Sequence, residues 1–182
     1  MKDLAMKIRD AVPEDASAAC QVMQRSIAEL CLIDHRNDPV TLERWLSNKT
    51  PEIFKSWIRP GNALLVAIED GKILAVGPVT DAGEITLNYV SPDARFRGVS
   101  TKLPTALERR AIERGNQECA LKSTETARCF YLARGYPEED GKRHRFGLPD
   151  VKMSGHLNSS NGTASAEAAP YEAASSWRSQ QG

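Results

Sequence analysis

The chain has no excess of either charge: Lys and Arg total 24 and Asp and Glu total 24, so the formal net charge is zero. A general nucleic-acid binder would need a cationic surplus to neutralise phosphates, and that class is set aside. No apolar run approaches the roughly 20 residues of a membrane-spanning helix, and the opening MKDLAMKIRD is too polar for a secretory signal. Cysteine is sparse. Cys20, Cys31, Cys119 and Cys129 form no C-x-x-C pair, which favours buried free thiols in a reducing compartment over a disulfide or metal site. The three histidines, His35, His144 and His156, show no ligand spacing. Neither a P-loop lysine motif nor a dinucleotide glycine fingerprint is present. These absences point to a cytoplasmic protein with no metal, no membrane and no nucleic-acid partner.

What is present suits one globular domain. The 182 residues are 41% apolar and 26% charged, enough for a substantial core with some chain left over. The excess lies at the end, where NSSNGTASAEAAPYEAASSWRSQQG is rich in Ser, Ala and Gly and nearly without apolar periodicity. Such a segment buries too little to offset its ordering entropy. Residues 1–157 are therefore expected to form a single domain, and 158–182 a disordered or loosely docked tail.

Periodicity gives the element order. Met6 to Asp10 suits a short strand, and helical spacing runs from Pro13 to about Ile33. Leu42, Trp45 and Leu46 suggest a second helix. Thr50-Pro51-Glu52 opens a third, with an N-cap, an N1 proline and a first-turn acid. ALLVAIED, KILAVGPVT and EITLNYVS then form three strands joined by turn residues, with Pro78 marking a bulge, an edge or a splayed stretch. A helix to about Gly115, the strand ECALKST, the helix TETARCFYLARG and a closing hairpin complete the order. The strand from Glu84, the helix from Val99 and the strand from Glu118 make a βαβ unit with parallel strands. The fold class is α+β: a mixed central sheet of about six or seven strands with helices on both faces.

The join inside that unit concentrates chemistry. Between Pro92 and Leu103 it holds Arg95, Arg97, Lys102, Gly98 and the hydroxyl residues Ser100 and Thr101. A helix start after a strand offers N–H groups without intrahelical partners and the positive end of the dipole. Gly98 permits a close backbone approach, so the turn suits a phosphate or pyrophosphate, or else is a capped helix with solvated arginines.

Val90-Ser91-Pro92, then Arg95-Phe96-Arg97-Gly98-Val99-Ser100 and Leu103, resembles the acyl-CoA signature of the GCN5-related N-acetyltransferases (GNAT): V-x-P, a spacer, [RQ]-x-x-G-x-[GA] and a helix. The resemblance runs over most of residues 6–157 and includes the stretch from Arg9 to Asp15. Ala127 and Phe130-Tyr131-Leu132-Ala133-Arg134-Gly135-Tyr136 match a second pattern, A-x-x-F-Y-x-x-x-G-[FY]. The two motifs follow in order, roughly 30 residues apart, on the expected elements.

The resemblance implies a GNAT-like acyl-CoA N-acyltransferase fold and transfer of an acetyl group from acetyl-CoA to a primary amine of a small molecule or protein. It places the CoA pyrophosphate on the backbone of Phe96, Arg97, Gly98, Val99 and Ser100, with Thr101 and the Arg95 charge nearby. It pairs the pantetheine arm with Asn88, Tyr89 and Val90, in a gap between splayed parallel strands. Tyr131 becomes the acid that protonates the departing thiolate, or else a core tyrosine paired with Phe130. Glu84 is the carboxylate best placed as base, directly or through water, or else a turn residue. Asp34 and His35 lie on the segment that shapes the acceptor pocket. Arg143, His144 and Arg145 form a basic hairpin tip, solvated or in contact with an anion. Dimers are common in this family, and the sequence leaves the oligomeric state open.

Two residues depart from the pattern. Ser100 stands where Gly or Ala is usual. Pro104 would remove a helix hydrogen bond, so an irregular helix start or a local kink over 100–104 is expected. These departures keep a second class open, a non-catalytic acyl-CoA sensor or scaffold.

Overall fold

The computed structural model describes residues 5–139, 143–145 and 148–157. The tail from residue 158 and the expectation attached to it lie outside the described residues.

Strand β1 (Lys7–Asp10) leads through a 3-10 turn at Pro13–Asp15 into helix α1 (Ala16–Leu30). The turn is held by Asp15, whose carboxylate accepts from Arg9 at 2.7 and 2.9 Å and from the Val12 N–H at 2.9 Å. The long helix expected to reach Ile33 instead breaks at Cys31, where ψ moves to 37°, and a short α2 (Leu32–His35) follows. Helix α3 (Pro39–Leu46) is capped by Asp38, which accepts from the Thr41 N–H at 2.9 Å. Helix α4 (Pro51–Trp57) begins as the sequence predicts, with Thr50 Oγ1 accepting from the Ile53 N–H.

Strands β2 (Asn62–Glu69) and β3 (Lys72–Thr80) are the apolar centre of the sheet. The third expected strand is split into β4 (Glu84–Ile85) and β5 (Tyr89–Val90). A 3-10 turn at Pro92–Ala94 leads to helix α5 (Val99–Glu113), then strand β6 (Glu118–Ser123), helix α6 (Glu125–Ala133) and strands β7 (Arg143–Arg145) and β8 (Leu148–His156). The spatial order is β1-β2-β3-β4-β6-β8-β7, with β5 continuing the line of β4 beside β3. All pairings are antiparallel except β4 with β6, the parallel pair expected of the βαβ unit.

Period-two alternation explains the layers. On β2, Leu64 and Val66 join Met23, Cys20 and Phe54 under α1 and α4. Ala63, Leu65 and Ala67 face the other way, onto Leu103, Leu107 and Ala111 of α5. A two-sided apolar strand must be covered on both faces, and it is. Gly77 lets α5 approach β3: a Cβ there would meet Leu107 Cδ1 and the Leu87 carbonyl oxygen, each at 3.0 Å.

Candidate active site

The site begins where β4 and β5 part. Val79 pairs with Ile85, and Val76 with Tyr89. Residues 86–88 therefore oppose only Gly77 and Pro78, which is one residue too many, a β-bulge. Pro78 has no N–H to donate and stands opposite this interruption, as its position in the sequence suggests. On the other side, β6 stays beside β4 only as far as Leu121, the partner of Ile85. β5 pairs with β3 alone. The two parallel strands thus diverge, and a cleft opens between them.

The cleft is lined by the bulge (Thr86, Leu87, Asn88), by β5, by the end of β6 and by Thr126, Ala127, Phe130 and Tyr131 of α6. Ser26, Leu30 and Cys31 close one end, and Arg95, Phe96 and Ser100 the other. The Ser91 N–H donates to Leu74 O at 2.7 Å, so Ser91 faces β3. Alternation along β5 then turns the N–H of Val90 away from β3, toward the cleft, and that of Tyr89 toward β3.

Tyr131 is 6% exposed, with edge-on contacts to Phe130 and Tyr136 at 5.1 and 5.8 Å between ring centroids. Its hydroxyl oxygen accepts from Asn88 Nδ2 at 3.2 Å across the cleft. Burial pushes the phenol pKa up, and the Asn88 donor works against that shift. A neutral phenol whose oxygen already accepts a hydrogen bond has its own proton left to give. The Asn88 Oδ1 is buried, with no hydrogen-bond partner among the described residues.

At the other end, Gly98 caps α5 with φ +74°, a conformation that costs glycine nothing, and Phe96 holds φ +62°. Gly98 O accepts from both Thr101 N at 3.2 Å and Lys102 N at 3.0 Å. The N–H groups of Val99 and Ser100 precede any intrahelical acceptor, so this is where a ligand oxygen finds donors. The Thr101 N–H is committed to Gly98, and Thr101 and Lys102 line a separate groove beside β1. Arg97 pairs with Glu69. Arg95 stacks on Phe96, its guanidinium carbon 5.0 Å from the ring centroid. The helix starts at Val99 and runs through Pro104, which sits in its second turn.

Three sequence expectations change. Glu84 is exposed at the start of β4, before the strands part, and is not among the residues lining the cleft. Asp34 is buried and accepts from the backbone N–H groups of Glu125 at 2.8 Å and Thr126 at 3.3 Å, and from the Thr126 hydroxyl. It fixes the start of the helix that carries Tyr131. His35 is also buried: Nδ1 accepts from the Asn37 N–H, and Nε2 stands 3.1 Å from Ile27 O, so the proton is on Nε2. Both residues are committed to structure. Of the cysteines, Cys20, Cys31 and Cys119 are buried, with the Cys31 thiol pushed up to about 12 and that of Cys119 to about 11 by burial. Cys129 is exposed, against expectation.

Comparison with known proteins agrees with this geometry. Residues 31–157 match the family model of the acetyltransferase (GNAT) domain. The chain is similar to a GCN5-related N-acetyltransferase structure from Rhodopseudomonas palustris, at 26% identity and a TM-score of 0.74, covering 83% of this chain and 95% of that one. It is also similar to the PaiA N-acetyltransferase of Thermoplasma acidophilum in complex with coenzyme A, at 17% identity and a TM-score of 0.71, covering 84% and 99%. No curated protein matches the sequence. The chain belongs to the GNAT family of acetyltransferases.

Proposed function

We propose that this protein is an N-acetyltransferase that moves an acetyl group from acetyl-CoA to a primary amine by direct transfer. The observation that carries this is the Asn88–Tyr131 hydrogen bond across the opening between the split strand and β6, which sets a neutral phenol inside the cleft. The residues present fit a CoA thioester. The turn from Phe96 to Ser100 has a left-handed glycine and helix N–H donors suited to pyrophosphate. The Val90 carbonyl, which faces the cleft with its N–H, and the orphaned Asn88 Oδ1 offer acceptors to the amide N–H groups of an extended arm. A relative of the same fold was solved with coenzyme A.

Bound there, the thioester supplies an activated acyl carbon. The Val90 N–H polarises its carbonyl oxygen, a task that needs no charged side chain. The amine nitrogen forms the new bond to carbon as the carbon–sulfur bond breaks. Tyr131 gives its proton to the sulfur, and Asn88 steadies the phenolate that results. The phenolate is reprotonated from solvent, and the amine loses its proton to water. Among the described lining residues there is no carboxylate, so Glu84 takes part only through water.

Thiol release from acetyl-CoA against an amine library tests the reading, with calorimetry of acetyl-CoA binding alongside. Binding without release for any amine would leave a sensor or scaffold. Neither binding nor release would remove the acyl-CoA reading altogether.

A further inference from the structure

We propose that the acceptor is an amine carrying its own anionic group, an amino acid being the simplest case, and that Lys122 holds that anion. The inference rests on the transferase reading above. Among the described residues lining the cleft, the charged side chains are Arg95 and Lys122, both cationic. A polyamine would find no carboxylate for its remaining ammonium groups and would meet two like charges.

The position of Lys122 is specific. Leu121 is the last residue of β6 in register with β4, so Lys122 is the first beyond the point where the strands part. It lies directly opposite Lys152 of β8, and both are exposed. Opposed residues of an antiparallel pair share a face, and like charges there are destabilising. Lys152 is neutralised by Glu139 at 2.6 Å. Lys122 has no ion pair among the described residues, which leaves a cation at the mouth of the cleft for a ligand. Beside it the wall is apolar, with Leu30, Cys31 and Phe130.

The same charge accounts for reaction without a side-chain base in the cleft. The α-amino group of a peptide ordinarily titrates near 8, against about 10.4 for a lysine side chain, and that of a free amino acid lies between the two because its own carboxylate favours the ammonium. Pairing the acceptor's carboxylate with Lys122 removes the anion that would hold its amine protonated, and the ammonium lowers the amine's proton affinity further.

The test is thiol release by the full chain with acetyl-CoA near neutral pH, using the proteinogenic amino acids, their carboxamides, n-butylamine and spermidine. The best acceptor is expected to be an amino acid, with kcat/KM about fivefold above its amide, the size of a partly exposed ion pair. Lys122→Gln closes that gap by raising KM for the acid and by lowering kcat near neutral pH, where more of the bound amine stays protonated, and Lys122→Arg keeps it. Amides, n-butylamine or spermidine matching or exceeding every amino acid would overturn the inference and leave the transferase reading standing. So would a Lys122→Gln variant that retains the preference. Release with none of these amines would overturn the inference, and the transferase reading falls with it only where the wider amine library also gives no release.

Discussion

Asn88 Nδ2 donates to the phenolic oxygen of Tyr131 over 3.2 Å, joining the bulge of the split strand to the helix on the far side of the cleft. The direction of that bond matters, because it occupies the oxygen and leaves the proton available. Tyr131→Phe is therefore expected to lower kcat by about 100-fold or more, the usual range for losing a general acid, with acetyl-CoA affinity little changed. Asn88→Ala should lower kcat less, by about tenfold, since the phenol remains. Because burial raises the Tyr131 pKa, the acid stays protonated above the ordinary value of 10.0, and kcat should not fall as pH approaches 10. A Tyr131→Phe variant with full turnover would sink the assignment.

The turn makes a separable prediction about affinity. Ser100 lines the cleft at the N-terminus of α5, where the available N–H groups lie. Ser100→Glu places an anion where phosphate oxygens would bind, and acetyl-CoA affinity should drop by about tenfold or more. Ser100→Ala, the residue usual in the family pattern, should bind as well as wild type. Calorimetry checks both, with far-UV circular dichroism to show that the fold persists. Equal affinity for Ser100→Glu would mean that the pyrophosphate lies elsewhere.

Much of this was legible in the sequence, because it depends on local rules. Thr50-Pro51-Glu52 starts α4, and the hairpin and βαβ patterns give the sheet. Gly98 marks the turn, and Pro78 marks the interrupted strand. The misses involve partners distant in sequence. Asp34 looked like a pocket residue because nothing in its neighbourhood shows that it caps a helix 91 residues away. Glu84 looked well placed for direct contact, whereas the strands stay paired through Ile85 and part only beyond it, a detail of register that leaves Glu84 to act through water. The break at Cys31 was hidden because Leu32 and Ile33 continue the apolar spacing, yet both are exposed. Asn88 was expected to pair with the cosubstrate, and its bond to Tyr131 needed coordinates.

The Arg9–Asp15 pair predicts how stability responds to acid. The Arg9 guanidinium holds the Asp15 carboxyl below its ordinary value of 3.8, with the Val12 N–H adding to the effect. A depressed carboxylate contributes stability that is fully present above its unfolded pKa and is lost as pH falls through the folded pKa. Asp15→Ala should therefore cost about 1–2 kcal/mol near neutral pH, as an ion pair and a turn cap are lost together. The difference from wild type should shrink as pH drops below about 4. Urea titrations at a series of pH values would check this. A difference independent of pH would show that packing, not charge, is what Asp15 contributes.

Asp34 offers the sharpest test of how the fold sets the chemistry. Its two carboxylate oxygens meet three donors at the start of α6, while Thr124 Oγ1 accepts from the Ala127 N–H. Asp34→Ala leaves the Glu125 and Thr126 N–H groups without this acceptor in a partly buried place, where each such group costs at most about 1–3 kcal/mol. A total loss of about 3 kcal/mol is expected, read as a lowered denaturation midpoint. Asp34→Asn should recover only part, because its amide nitrogen turns a donor toward donors. If the carboxylate also holds α6 in place, Asp34→Asn should lower kcat at temperatures where the variant is fully folded, with acetyl-CoA binding kept. Thr126→Val, which removes only the hydroxyl, should couple to Asp34→Asn in a double-mutant cycle by about 1 kcal/mol. Strict additivity, together with a wild-type kcat in folded Asp34→Asn, would confine Asp34 to stability and detach it from the placement of Tyr131.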